Sequence, residues 1–233
     1  MAKRPYPHRI EKTKNKHSRA VFREDTIIIR LARNLSRTEK QEHIEDLLDR
    51  MTKQLLEEER YRVHIHPFKG LLSGKQKDTI ELANGKKYEI ALQAGEKLSA
   101  IRTRKGWKVS VSPRTRRAQL HRFLWNLIAE AEYDRIVRLV ESANKQTLNV
   151  RIKTVRFRFA SSQWGSCSPK GIIMLNAALL FAPASLLRYV TIHELAHRKR
   201  ADHSASYWRI VEDVLPGYQV ARNRLQNYRL PTL

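Results

Sequence analysis

Two histidines four residues apart, His193 and His197, with Glu194 directly after the first, are the residues of this chain best spaced to do chemistry. On a helix, residues four apart stack on one face, so both imidazoles can reach one ion. Glu194 is rotated off that axis and can hold a water instead of binding the ion. This is the H-E-x-x-H arrangement: two metal ligands and a general base, with zinc lowering the pKa of its water to about 7. The expected cofactor is one zinc ion per chain. Five-residue patterns of this kind also arise on helices that bind nothing. Here Leu186, Val190, His193 and His197 share one face, so the pair is turned inward. Two imidazoles and a carboxylate in that position need polar partners, which a metal and its water supply.

A catalytic zinc usually takes three protein ligands. His203 follows His197 at the offset used by H-E-x-x-H-x-x-G-x-x-H enzymes, with Arg200 standing where those have glycine. In an unbroken helix His203 would point about 120° away from His197, given about 100° per residue. The helix is therefore expected to break between Lys199 and Asp202, with Asp202 or Ser204 capping the next one. Glu212, on that next helix, is the rival third ligand. Tyr207 is a candidate donor to a developing oxyanion, that is, a transition-state stabiliser. The single cysteine, Cys167, excludes an internal disulfide, is expected as a structural loop residue, and fits a reducing, cytoplasmic compartment.

The elements that must position these residues can be read from periodicity. Pro183 suits the first turn of the helix carrying the pair, expected to run to about Arg200. One short segment upstream, Gly171 to Asn176 reads as a strand. Its residues Ile172, Ile173, Met174 and Leu175 are expected to form a sheet edge that aligns an extended substrate by backbone pairing. Val150 to Phe159 alternates apolar and basic residues, which predicts a strand with one buried and one basic face. Ser161 to Lys170 reads as the loop between these strands. A long helix is expected from about Arg114 to Glu141, and shorter ones from Ser204 to Pro216 and from Tyr218 to Tyr228.

Before Pro113 the chain is rich in strand signals. Ile27 to Leu31 is one apolar, β-branched run. Ser36 and Glu39 form a capping box that opens a helix with Ile44, Leu47, Leu48, Met51 and Leu55 on one face. Two hairpins are expected around Asn84-Gly85 and Lys105-Gly106, the first with positive φ at both turn residues. The fold class expected is α+β. A basic, antiparallel β-rich N-terminal domain with one amphipathic helix would cover 1–112, and a helical/β catalytic domain 113–233.

Several separated motifs occur in order: Trp164-Gly165-Ser166-Cys167-Ser168, Leu175-Asn176, Ala182-Pro183, Tyr189-Val190, the His193-to-His197 segment, then Asp202-His203-Ser204 with Tyr207-Trp208. Together they closely resemble the YgjP-like metallopeptidase family, which is related to the SprT-like and minigluzincin zinc peptidases. The resemblance is strong over about Ile152 to Leu225 and looser before it. It implies a zincin-like catalytic domain, zinc held by His193, His197 and His203, Glu194 as catalytic base, and a protein or peptide substrate. Gln163 departs from the family, which usually has arginine before the tryptophan.

The formal net charge is +23, and Lys145 to Lys170 contains six basic residues and no acid. Such a field attracts polyanions. Arg151, Lys153, Arg156 and Arg158 are the expected contacts for nucleic acid, although a basic surface without a dedicated partner accounts for them as well. Two other functions stand beside the metallopeptidase. One is a metal-dependent nucleotide phosphohydrolase, which lacks the Gly-rich loop or paired carboxylates that such sites use. The other is a nucleic-acid-binding protein with a structural zinc site, which has no need of Glu194. No apolar run reaches the ~20 residues a spanning helix needs, so no membrane insertion is expected. Met1 to Arg4 is a short basic start with no apolar stretch behind it, unlike a secretory leader.

Overall fold

The capping box opens the first helix as expected: Ser36 Oγ accepts from the amide of Glu39 at 3.2 Å, and Glu39 accepts from the amide of Ser36 at 2.7 Å. The computed structural model describes residues 6–12, 16–23, 26–60 and 62–231, the side chains of 57–60 excepted. The basic start Met1 to Arg4 lies outside them. The chain divides into two compact units, Met1–Arg62 and Val63–Leu233.

The first unit holds strands β1 (His8–Lys12), β2 (Arg19–Arg23) and β3 (Thr26–Leu31) and helix α1 (Arg37–Arg60). The sheet order is β1-β3-β2, so the β-branched run lies in the middle strand. That is why Ile27, Ile28 and Ile29 are all buried where an edge strand would alternate. Leu48 and Leu55 of α1 close a small core over Ile27 and Ile29.

The second unit starts with β4 (Val63–His64) and the single turn α2 (Lys69–Leu72), followed by β5 (Lys77–Glu81), β6 (Lys87–Ala94), β7 (Ser99–Thr103) and β8 (Gly106–Val111). Both expected hairpins form, and β6 joins β8 in parallel, giving the order β5-β6-β8-β7. The first turn differs from expectation. Among its residues Gly85 alone has positive φ, at +81°, and the carbonyl of Leu82 accepts from Gly85, so a three-residue turn with a glycine bulge replaces the two-residue form. The second turn is Arg104-Lys105, because Gly106 already pairs with Thr103.

Helix α3 (Arg117–Gln146) follows. Leu120, Leu124, Trp125, Ile128, Ile136 and Val140 of this helix share one core with Ile80, Tyr88, Ile90, Trp107 and Val109 of the four-stranded sheet, and with Val155, Phe157, Ile173 and Leu175 beyond it. The expected division at 112/113 therefore does not hold. The two hairpins cannot bury their apolar face without α3, so they belong with it, and the units part at residue 62. Glu132 of α3, fully buried, ties the two together by accepting from Lys86, Tyr88 and Arg135.

Next come β9 (Thr154–Arg158), β10 (Gly165–Cys167) and β11 (Ile172–Asn176), in the order β10-β11-β9. Strand β11 pairs with β10 antiparallel and with β9 in parallel, so Ile172, Ile173, Met174 and Leu175 are not a sheet edge. Two-sided pairing suits this strand, since residues 173–176 are all buried. The edges are β9 and β10, the latter inside the segment read as a loop. Gly165-Ser166-Cys167 is too short and too polar to show strand periodicity. The chain returns through Gly171, at φ +80°, whose amide donates to Ser168.

A 3-10 turn, Ala177–Phe181, leads into α4 (Ala184–Ala196), α5 (Ala205–Val214), α6 (Tyr218–Gln226) and β12 (Tyr228–Arg229), which pairs with β4. The architecture is α+β. None of the described helices is long and apolar enough to cross a membrane.

Candidate metal centre

Nine of the thirteen residues of helix α4 are buried, which fixes its last turn against the core. His193 lies within that turn, and His197 is the residue that ends it. The following amides fold back in tight turns, Arg198 to Leu195 at 3.0 Å and Lys199 to Ala196 at 2.9 Å. The helix thus breaks slightly before the expected Lys199 to Asp202. Asp202 accepts from the amide of Ser204 at 3.2 Å and from its hydroxyl at 2.6 Å, so the turn is held and α5 begins at Ala205. The reversal brings His203 back over α4.

The three imidazoles converge. Their centroids lie 5.0 Å (His193–His197), 5.0 Å (His193–His203) and 4.7 Å (His197–His203) apart. One nitrogen from each falls within 4.8 Å of the others. The Nε2 atoms of His193 and His203 are 3.1 Å apart. Tetrahedral zinc with Zn–N near 2.05 Å would hold two nitrogens about 3.3 Å apart, so the spacing fits. Nδ1 of His197 sits 3.2 Å from the carbonyl of Arg200. Donation there leaves Nε2 of His197 free to ligate, the usual support for a metal-binding imidazole. Nδ1 of His193 is buried without a partner among the described residues.

Electrostatics agree with a metal site. Burial, helped by His197 and His203, pushes His193 down to about 3, and burial also lowers His197. Both rings are therefore neutral, the form that binds metal. Burial pushes Glu194 up to about 8, and it is 5% exposed. Its carboxyl lies against Gly165, where a Cβ would come within 2.6 Å of Oε1 and 2.8 Å of Cγ. Gly165, Glu194, Cys167 and the three histidines line one cleft of about 370 Å³.

The other sequence candidates fall elsewhere. Glu212, the rival ligand, accepts from the amide of Gly217 at 3.1 Å and from Gln219 at 3.2 Å, at the start of α6. It is not part of the histidine group. Tyr207, the expected oxyanion donor, is not among the residues that line the cleft. It is fully buried, and its hydroxyl donates to the carbonyl of His193 at 2.9 Å, while its ring stacks on His197 at 4.7 Å. It braces the imidazoles from behind, with Trp208 stacked on His203. Arg151, Lys153, Arg156 and Arg158 are exposed, the last two on the solvent face of β9. Basic residues there also guard an edge strand against pairing with other chains.

Two residues escaped sequence reasoning as site residues. Gly165 admits the carboxylate of Glu194. Asn176, fully buried, donates to the carbonyls of Ala160 and Gln163 at 2.7 Å each and accepts from Ala178 at 3.0 Å, clamping the loop that feeds β10. The motif Leu175-Asn176 marked the position without showing its purpose.

A model of the YgjP-like metallopeptidase domain matches residues 10–228. The chain belongs to the YgjP-like metallopeptidase family. As a YgjP-like metallopeptidase it is a peptidase of a metal-dependent class, and its match covers the greater part of both units. The crystal structure of the metallopeptidase zymogen of Pyrococcus abyssi abylysin is similar at 33% identity, over 39% of this chain and 91% of that one, with a TM-score of 0.36. No functionally curated protein matches the chain.

Proposed function

We propose that this YgjP-like metallopeptidase cleaves peptide bonds with one zinc ion held by His193, His197 and His203 and with Glu194 as general base. The observation that carries the reading is the three ligand nitrogens within 4.8 Å of one another, in the same cleft as a buried carboxylate that is not one of the group. Zinc bound there would polarise the scissile carbonyl and acidify a water. Glu194 then takes a proton from the attacking water and passes it to the departing amine. Its low-polarity surroundings raise its basicity, and the charge of a zinc bound beside it would favour the ionised form that accepts the proton. Tyr207 and the carbonyl of Arg200 hold the imidazoles in place.

The substrate strand is β10 in place of β11. Within its sheet β10 pairs only with β11, and Gly165, Ser166 and Cys167 line the cleft beside Glu194. An extended peptide that adds to this edge satisfies its backbone by pairing.

The test separates ligand from base. His197→Ala and His203→Ala should each release most of the zinc, while Glu212→Ala should be nearly silent. Glu194→Gln should keep the metal and lose hydrolysis by about 10²–10⁴-fold, since the amide cannot accept the proton. Metal content by elemental analysis, beside a peptide-library digest, reads both. Undiminished hydrolysis in Glu194→Gln, or stoichiometric zinc in His203→Ala, would overturn the assignment.

A further inference from the structure

Beyond the catalytic cleft, the molecule holds a second and larger opening. It has a volume of about 720 Å³ and lies between the N-terminal half of α3 and the loop from β9 to β10. His121, Arg122 and Asn126 line it from the helix, and Arg158, Ser161 and Ser162 from the other side. Pro231 closes it, and among the described residues no acid lines it and neither Arg122 nor Arg158 has a carboxylate partner.

One wall is rigid and donor-bearing. His121 is 6% exposed, and its Nε2 accepts from Nε1 of Trp125 at 3.0 Å. Burial, with the charges of His66 and Arg117, lowers its basicity, so the ring is neutral and Nδ1 carries the proton. That N–H has no partner among the described residues. The facing loop is fixed by the Asn176 clamp on Ala160 and Gln163, so the serine hydroxyls sit on a backbone already ordered. Two guanidinium groups and two serine hydroxyls around a space with no acid among its described lining residues are a receptor for a carboxylate, which arginine binds in bidentate fashion.

The chain path relates the opening to the substrate. β9 and β11 run in parallel and β10 runs against them, so the end of β9 and the start of β10 lie at the same end of the sheet. The loop that walls the opening leads directly into Gly165, the residue against Glu194. An extended peptide advances about 3.3 Å per residue. One laid on β10 and continuing past Gly165 reaches Ser161 to Gln163 within a few residues.

We propose that this opening is an acidic-residue subsite, which selects peptide substrates carrying Glu or Asp a few residues from the scissile bond. The proposal rests on the peptidase reading above and deepens it. A carboxylate side chain is favoured over a nucleic-acid phosphate because the loop that walls the opening runs into the strand that takes the peptide. It also offers no Gly-rich backbone cradle of the kind that holds phosphoryl groups.

The test uses the full-length, zinc-loaded chain and a set of peptides that differ only in Glu or Gln at positions two to five residues on either side of the cleaved bond. Wild type should favour the Glu peptide at one or two positions on one side by about tenfold or more in kcat/KM, through KM. The Arg122→Gln/Arg158→Gln double variant should lose that preference. Binding of the same peptides to the Glu194→Gln protein, followed by calorimetry, should show the same discrimination without turnover. If neutral and acidic peptides are cleaved alike, the peptidase reading stands and the subsite falls. If no peptide is cleaved, yet the Glu peptide binds in an arginine-dependent way, the subsite stands and the peptidase reading falls. A preference that survives the double variant overturns the subsite. So does an oligonucleotide that binds in an Arg122- and Arg158-dependent way while the Glu peptide does not bind.

Discussion

The two units differ in what they can afford to bury. In the first, Ile27, Ile29, Leu48 and Leu55 make up the fully buried cluster, all of it apolar. In the second, one core runs from Ile65 to Tyr218. The buried polar residues of the described chain, His121, Glu132, Asn176, Thr191 and Glu194, all lie in that second unit. A buried polar group costs free energy unless it is paired, and a small core has little surplus to offset it. The larger core carries five such groups and uses them, His121 as the acceptor for Nε1 of Trp125 at 3.0 Å. Glu132 joins sheet to helix, Asn176 fixes a loop, Thr191 donates to Leu187 at 2.8 Å within its own helix, and Glu194 faces the histidines.

The comparison can be broken most forcefully in the small core. Leu48→Ala should cost about 2–5 kcal/mol. A unit of that size holds about 3–9 kcal/mol in all, at about 0.05–0.15 kcal/mol per residue. Amide hydrogen exchange should then show Ile27 to Ile29 losing protection while Ile173 and Leu175 keep theirs. Equal loss in both would mean that the units do not unfold separately.

In the large unit the sharper test is Gly165→Ala. A Cβ there meets three atoms of Glu194 at 2.6–3.0 Å, and the buried carboxylate has little room to retreat. Hydrolysis should fall by up to about 10²-fold, through kcat, with zinc retained. Unaltered turnover would show that Glu194 has slack that its burial does not suggest.

The smallest effect is a pH dependence. Burial works to raise the pKa of Glu132, but hydrogen bonds from Lys86, Tyr88 and Arg135 outweigh it and hold the group below its usual 4.5. A depressed carboxylate contributes stability that is complete above its unfolded value and lost as pH falls through the folded one. Glu132→Gln should therefore cost about 1–3 kcal/mol at neutral pH. The gap to wild type should narrow once the pH drops below 4.5. Urea titrations of both proteins at pH 7 and at pH 3 would show it, and a gap that widens in acid would contradict the sign.

Much of the metal centre was legible because it is local. His193, Glu194 and His197 share one helix, and Asp202 and Ser204 announce the break that returns His203. The surroundings of Tyr207 and the place of β11 in its sheet were misread because both depend on partners outside their own segment. The tyrosine is the right type at the right place, but its hydroxyl is claimed by a carbonyl fourteen residues earlier in the chain. β11 has the composition of a strand at either position in a sheet. Only the pairing of Gly165 to Cys167 with it decides which edge stays open. The boundary at Pro113 failed for a similar reason. Turn residues mark where a chain bends, whereas units are divided by which apolar faces share a core.

Gly106 has a consequence for the order of folding. Its Cα position is so close to β6 that a Cβ would come within 1.8 Å of the carbonyl of Glu89, and the amide of Glu89 donates to Lys105 beside it at 2.8 Å. The two hairpins are local and can close on their own in about 1–10 µs. Joining β6 to β8 pairs residues 17 apart in sequence, against 6 to 14 in the first hairpin, and needs both hairpins in place, a slower kind of event. The bare backbone at position 106 acts as the latch of that second event. Pulse-labelled exchange would catch the Glu89 amide protected after the hairpin amides of Ile80 and Tyr88, and any side chain at 106 would lengthen the wait.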